Sequence, residues 1–153
     1  MAVDPSTLDA MPFLRRLAAD ARAELAAIAT LEEHSAGAVL FREGDAPGAV
    51  FLVLEGRVTL TMRVGQSEAS VLSLGVDELV GWSSLLARRR VATALISQRS
   101  RLLRIEASPL LELCERDARV GYAVMAQAFE DVSDRLVDTR MQLLDLYGKG
   151  ASR

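Results

Sequence analysis

The stretch AGAVLFREGDAPGAVFLVLEGRVTL, residues 36–60, carries the clearest statement of the fold. Short runs rich in Val, Leu and Phe alternate here with glycine turns, first at Gly44-Asp45 and then at Glu55-Gly56. Apolar runs of this length bounded by turn residues read as strands, expected at 38–43, 49–55 and 57–64. Glu55-Gly56, set between two apolar runs, predicts a tight hairpin. Beyond it, Val58, Leu60 and Met62 alternate with Thr59, Thr61 and Arg63, the two-residue period of a strand with one covered face.

The same texture continues outward. Further strands are expected at 69–74, 91–97 and 101–106, with glycines at 37, 44, 48, 56, 65, 75 and 81 between or beside the runs. Strands recurring about every 8–12 residues predict a small antiparallel roll or barrel. The lead segment reads differently. Phe13, Leu14, Leu17, Ala18, Leu25, Ile28 and Ala29 recur at helical spacing, after a turn that Pro5-Ser6-Thr7 can start. Helices resume at Ser108-Pro109, where serine can cap and proline suits a first turn.

A long helix is expected from about 117 to 147. Tyr122, Met125, Phe129, Val132, Leu136, Thr139, Leu143 and Leu146 alternate steps of three and four, a heptad seam with one polar member, Thr139. Val124, Ala128, Val137 and Leu144 make a second apolar face. One face for the roll and one for the same helix of a second copy is the simplest account, so a parallel homodimer is expected. The whole chain, 1–153, is expected to form one domain: a helical lead (6–30), a β-roll (31–106) and C-terminal helices (107–147).

Composition excludes several classes. Half of the 153 residues are apolar and the formal charge is −3, so nothing draws the chain as a whole to nucleic acid or an anionic membrane. With a single cysteine, Cys114, no intrachain disulfide can form. With a single histidine, His34, the usual zinc ligand sets are out of reach, and no metal is expected. His34 reads as an exposed or hydrogen-bonded residue near a turn. The acidic neighbours Glu32-Glu33 and Glu130-Asp131 lack partner groups and are expected at the surface, so no catalytic residues are assigned. No run approaches the about 18 apolar residues of a membrane span, and no basic region precedes an apolar one at the N-terminus. A cytoplasmic location is expected.

The stretch VGWSSLLARRRVAT, residues 80–93, combines a glycine turn, a short apolar helix start and three arginines before a strand. Adjacent side chains diverge, so one or two of Arg88, Arg89 and Arg90 can point inward. With the helical lead, the roll, the opening hairpins of residues 36–60 and the long terminal helix, this chain resembles the cyclic nucleotide-binding domain family. MQLLDLYG resembles the end of the dimerising helix in regulators of the catabolite activator type. The resemblance covers roughly residues 8 to 147.

That family implies an α+β fold: an antiparallel β-roll of jelly-roll type (a double-stranded β-helix) flanked by N-terminal helices and a long C-terminal helix. It also implies a phosphate-binding cassette resembling F-G-E-[LI]-x-[LI]-[LI], a short loop, then R-x-A-[ST]. The matching positions here are Gly81, Trp82, Ser83, Ser84, then Arg90, Val91 and Thr93. Gly81 would let the backbone turn tightly. Amides from about Ser83 onward would face an anion, and Arg90, with Arg89 as the alternative, would fork to two phosphate oxygens.

Two departures stand out. The loop is one residue shorter than the usual cassette, and Trp82 stands where the family's glutamate accepts from the ribose 2′-hydroxyl. Indole donates a hydrogen bond and accepts none. Trp82 has three readings: an aromatic cap on the mouth of the roll, a plug in an empty pocket, or a stacking surface for a base. Ser83 and Ser84 offer substitute hydroxyls or simple helix caps. The family reads the base partly from the long helix, which implies Asp134, Arg135 and Thr139, each equally explained as a solvated helix residue. The expected ligand is cyclic AMP or cyclic GMP, with no cofactor. The expected function is a non-enzymatic sensor with a possible protein effector and, lacking a helix-turn-helix after the long helix, no direct DNA contact. The alternative is a degenerate domain that binds no nucleotide and serves as a dimeric scaffold.

Overall fold

In the computed structural model, which describes residues 3–12 and 14–151, all strands belong to one antiparallel sheet. The elements in order are α1 (Pro5–Leu8), α2 (Ala19–Ala27), β1 (Ala29–His34), β2 (Val39–Phe41), β3 (Ala49–Val64), β4 (Ser67–Leu74) and β5 (Leu79–Val80). A short 3₁₀ helix (Trp82–Leu86) follows, then β6 (Thr93–Glu106), α3 (Ala107–Arg116) and α4 (Ala118–Ala151). The expected α+β architecture is thus present: N-terminal helices, an antiparallel roll and a long C-terminal helix.

Two long strands organise the roll. β3 and β6 pair along most of their length, from Ala49↔Glu106 to Thr61↔Thr93. One end of β6 takes β1 and the other takes β2, while β3 takes β5 at its start and β4 at its end. The run Ala49–Val53 is buried on both faces, which is why it reads as continuous apolar sequence. Val50 and Leu52 point to a core under the helices with Leu25, Leu103, Leu110 and Val124. Phe51 and Val53 point into the roll with Val58, Leu74, Ile96 and Leu102. The strand's two-residue period splits one run between two cores.

The hairpin expected at Glu55-Gly56 is not there. β3 runs through it, and β6 is likewise one strand where two were expected, at 91–97 and 101–106. Gly56 (φ 94°) is instead the centre of bulges: the β3–β6 register shifts between Val53 and Glu55, Glu55 and Arg57, and Arg57 and Val58. Arg57 N–H donates to Ser100 Oγ at 3.0 Å, and Ser97 Oγ donates to the Arg57 carbonyl at 3.1 Å. An E-G pair with positive φ serves a bulge as well as a turn; only the partner strand distinguishes them. A further bulge opposite Leu60 and Thr61 falls on β4 at Val71, and against the expected alternation Thr61 is buried beside Leu60 while Met62 is exposed.

The helical lead is shorter than 6–30. Phe13 lies outside the described residues, 14–17 form turns, and the chain enters β1 at Ala29, a strand absent from the sequence reading, as was β5. β1 was hidden because Thr30, Glu32 and Glu33 dilute its apolar pattern while β6 supplies its pairing. His34 Nε2 sits 2.8 Å from Glu32 Oε2, the hydrogen-bonded state expected of it. Ser108 lies inside α3 rather than at its cap, since the helix starts at Ala107 with Glu106 before it and no side-chain cap bond; Pro109 falls in the first turn as expected. Asp117 starts α4. Its carboxylate accepts from Arg119 N–H, and hydrogen bonds from the Arg119 guanidinium hold its pKa down at about 2. Arg119 also pairs with Asp20 at 3.0 Å, tying α4 to α2.

α4 packs on the body only through its first half. Val120, Ala123 and Val124 are buried. From Leu136 onward the described side chains are exposed. Val137 (56 % exposed) and Leu144 (63 %) therefore do not face the roll as the second apolar stripe implied. This part of the helix stands off the roll, with Asp138, Thr139 and Gln142 across an open cleft from it. Among the described residues no helix is long and apolar enough to cross a membrane.

Candidate functional site

β5 and the loops around it build the site. Leu79 and Val80 pair with Leu52 and Phe51, and the chain then turns at Gly81, whose φ of 86° is left-handed. A Cβ there would lie 2.5 Å from Arg90 Nη1 and 3.3 Å from the Ala49 carbonyl oxygen, so glycine is required by space as well as by φ. The 3₁₀ helix that follows ends at Ala87, also in the left-handed region (φ 52°). Ser83 and Ser84 are buried. Ser84 Oγ accepts from Gly48 N–H at 3.0 Å, which ties the turn to the start of β3. Ser84 therefore acts as a brace for the β2–β3 loop.

Arg90 is the inward arginine, 5 % exposed. Its Nη1 donates to the Gly81 carbonyl at 3.1 Å and its Nη2 to the Ala49 carbonyl at 2.6 Å. The guanidinium carbon lies 3.9 Å from the centroid of the Phe41 ring, within cation–π range. Nε is buried and has no partner among the described residues. Burial pushes the pKa of Arg90 down from its ordinary value, opposed by the charges of Asp45 and Glu106. Arg89 lies outside and donates to the Gly44 carbonyl at 3.0 Å; Arg88 is exposed. Thr93 Oγ1 accepts from Glu43 N–H at 2.9 Å, while Val91 is exposed.

Between the roll and α4 lies a cleft of about 580 Å³. Its roll side includes Leu60, Leu72, Trp82, Val91 and Ala92; its helix side includes Arg135, Asp138, Thr139 and Gln142. Trp82 is half-buried. It packs against the core under the helices and also forms part of the cleft wall. Arg90 itself does not line the cleft, although its chain neighbours Val91 and Ala92 do. Of the three helix residues expected here, Arg135 and Thr139 line the cleft, and Asp134 faces solvent. Asp138 and Gln142 were missed. They stand three and seven residues after Arg135, on the same helical face, so helical spacing from Arg135 would have found them.

Asp131, expected at the surface, is half-buried: its carboxylate accepts from Leu79 N–H at 3.0 Å and from Gln127 Nε2 at 2.8 Å. Arg135 Nη2 donates to the Leu79 carbonyl at 2.9 Å, and Thr139 Oγ1 donates to the Arg135 carbonyl at 2.8 Å. Among the described residues no three His, Cys, Asp or Glu side chains come together to hold a metal ion.

The family model for the cyclic nucleotide-binding domain matches residues 31–117. A cyclic nucleotide-binding domain from Methylobacillus flagellatus superposes with a TM-score of 0.77 at 15 % identity, over 92 % of this chain and 80 % of that one. The catabolite activator protein of Thermus thermophilus gives a TM-score of 0.71 at 27 % identity, over 88 % of this chain and 63 % of that one. In sequence, glutaminase 1 of Bradyrhizobium diazoefficiens is 27 % identical over 134 residues, which take in 88 % of this chain and 21 % of that protein. The chain thus spans about a fifth of that relative's length.

Proposed function

The chain belongs to the cyclic nucleotide-binding domain family, and from that membership we propose that it is a non-enzymatic sensor taking cyclic AMP or cyclic GMP in the cleft beside Trp82. The observation that carries this reading is the buried Arg90 with an unpartnered Nε, whose chain neighbours Val91 and Ala92 line a cleft bordered by α4. A buried N–H without an acceptor is costly, and a phosphate oxygen supplies the strongest acceptor available. The cleft volume of about 580 Å³ lies within the range of small-ligand sites. Trp82 gives a base a flat apolar wall, and Asp138 and Gln142 give its edge hydrogen-bonding groups.

The ribose is held less well. Without a carboxylate at position 82, a charge-assisted bond worth about 1.5–3 kcal/mol is missing, a loss of about ten- to a hundredfold in affinity. Calorimetry with cyclic AMP and cyclic GMP tests the reading. Saturable heat with a Kd of about 1–100 μM is expected; no heat from either nucleotide up to about 1 mM, with folded protein, rules the reading out.

On the same reading the domain acts as a dimer. Phe129 is 75 % exposed and Leu146 68 %, and with Tyr122, Met125, Val132, Leu136 and Leu143 they form one continuous stripe down α4. A second α4 laid parallel would cover it in heptad register, with Thr139 as the single polar layer. A charge in that layer stack should dissociate it: sedimentation of Leu143→Asp is expected to give a monomer where the parent chain gives a dimer. A monomeric parent chain would refute the dimer outright. The relative in which a matching stretch makes up about a fifth of a glutaminase supports a module that works with an effector.

A second reading draws on the same guanidinium. Arg90 already spends both Nη groups on the Gly81 and Ala49 carbonyls, and the Phe41 ring fills the space beside it. On that reading the roll binds no nucleotide and the domain is a dimeric scaffold. Calorimetry separates the two.

A further inference from the structure

β5 is only two residues long, and its first residue gives both of its backbone groups to a helix. Leu79 N–H donates to Asp131 Oδ2 at 3.0 Å, and the Leu79 carbonyl accepts from Arg135 Nη2 at 2.9 Å. Those two side chains stand one helical turn apart on α4 and take the place a neighbouring strand would occupy at this sheet edge. Burial acts against both charges, raising the pKa of Asp131 and lowering that of Arg135. Each charge is offset there by its backbone partner and by the opposite charge of the other. Gln127 Nε2 completes the arrangement by donating to Asp131 Oδ1 at 2.8 Å.

The position of this contact gives it a role. On α4, Asp131 follows the half packed on the body (Val120, Ala123, Val124), and Arg135 begins the part that lines the cleft with Asp138, Thr139 and Gln142. Among the described residues, α4 between 128 and 142 hydrogen-bonds to the roll through these two side chains. On the roll side, Leu79 is two residues from Gly81, whose carbonyl accepts from Arg90, and three from Trp82 in the cleft wall. One short backbone segment therefore touches the helix at one end and the buried guanidinium at the other.

We propose that Asp131 and Arg135 are positioning residues that form a two-point latch on Leu79, so that α4 leaves the cleft only when β5 and the Gly81 turn are released with it. The role in ligand sensing rests on the cleft being the ligand site; the latch itself does not. Hydrogen exchange of the ligand-free full chain, read by amide-resolved NMR, tests the latch. In Asp131→Ala and in Arg135→Ala the amide of Leu79 should exchange about tenfold faster or more, the scale of one lost hydrogen bond, while Ile96 and Leu102 amides keep their protection. Asp131→Asn keeps an acceptor oxygen and should restore the protection of Leu79, whereas Asp131→Leu, which keeps the volume without an acceptor, should exchange like the alanine variant; a packing defect alone predicts protection in both. Arg135→Ala tests the latch independently should Asp131→Ala fail to fold.

Trp82, the sole tryptophan, reports the linked turn, and its emission should shift to the red in both alanine variants. Cyclic AMP affinity should fall by about tenfold in Asp131→Ala, which lies off the cleft wall, and stay near the parent value in Asp131→Asn; Arg135 lines the cleft, so the latch is read in Arg135→Ala from exchange and emission alone. Unchanged Leu79 exchange and unchanged Trp82 emission in both alanine variants would overturn the latch. Failure of the parent chain to bind cyclic AMP would overturn the ligand reading alone, because exchange and emission are measured without ligand.

Discussion

Alanine at position 56 is expected to destabilise the domain by about 3–5 kcal/mol, a large fraction of the about 5–15 kcal/mol that holds a domain of this kind together. Gly56 sits at φ 94°, and a Cβ there would run into Ser100 Oγ and the Arg99 carbonyl and come within 2.7 Å of Ser100 Cα. Two of those three obstacles are backbone of β6, and Ser100 is 1 % exposed, so β6 cannot step aside cheaply. The left-handed conformation alone costs a residue with a Cβ about 1–2 kcal/mol; the collision supplies the rest.

Gly44 is the matched control. Its φ of 87° is similar, and a Cβ there would meet nothing within 4 Å. Gly44→Ala should therefore lose only the conformational part, about 1–2 kcal/mol. Urea denaturation of the two variants checks this. Equal losses would mean that the close approach of β3 and β6 is not what demands glycine at 56.

The second large effect is on ligand binding. On the proposed reading a phosphate oxygen meets the unpartnered Nε of Arg90, so Arg90→Ala is expected to lower cyclic AMP affinity by about a hundredfold through loss of that charge-assisted bond. Arg90→Lys should recover little of this, because a lysine supplies charge without the planar fork and cannot reach both carbonyls as the guanidinium does. Stability moves less simply. Removing Arg90 leaves the Gly81 and Ala49 carbonyls without their donor, about 1–3 kcal/mol for each group if water cannot reach it. Relief of a buried charge with an unpartnered Nε works in the other direction. Binding is measured by calorimetry and stability by denaturation on the same variants. Parent-like affinity in folded Arg90→Ala would remove the phosphate from this end of the roll.

Helix 118–151 and the short helix after Gly81 were legible because local spacing declares them: a seam of threes and fours in one, a glycine before a compact apolar segment in the other. β1 was not legible. Its residues Thr30, Glu32 and Glu33 carry little apolar signal, and the strand exists because β6 has a free side there. The same limit misread Glu55-Gly56. A positive-φ glycine is demanded by a hairpin and by a bulge alike, and only the 14-residue reach of β6 alongside decides between them. Burial of Asp131 was invisible for a similar reason, since its partner is a backbone 52 residues away.

By itself, then, the amino-acid order determined the antiparallel roll between helices and the long terminal helix, which follow from periodicity and glycine placement, both local. Side-chain divergence narrowed the inward arginine to one or two of three; the family resemblance, not local spacing, selected Arg90 and the cassette positions. What only the tertiary structure decided is where those groups point. The Arg90 guanidinium turns onto two carbonyls instead of opening into the cleft, Trp82 becomes a wall, and Asp138 and Gln142 replace Asp134 on the helix side. The physical reason is that a buried polar group takes its orientation from whichever partners the packed elements bring within about 3 Å, and those partners come from distant parts of the chain.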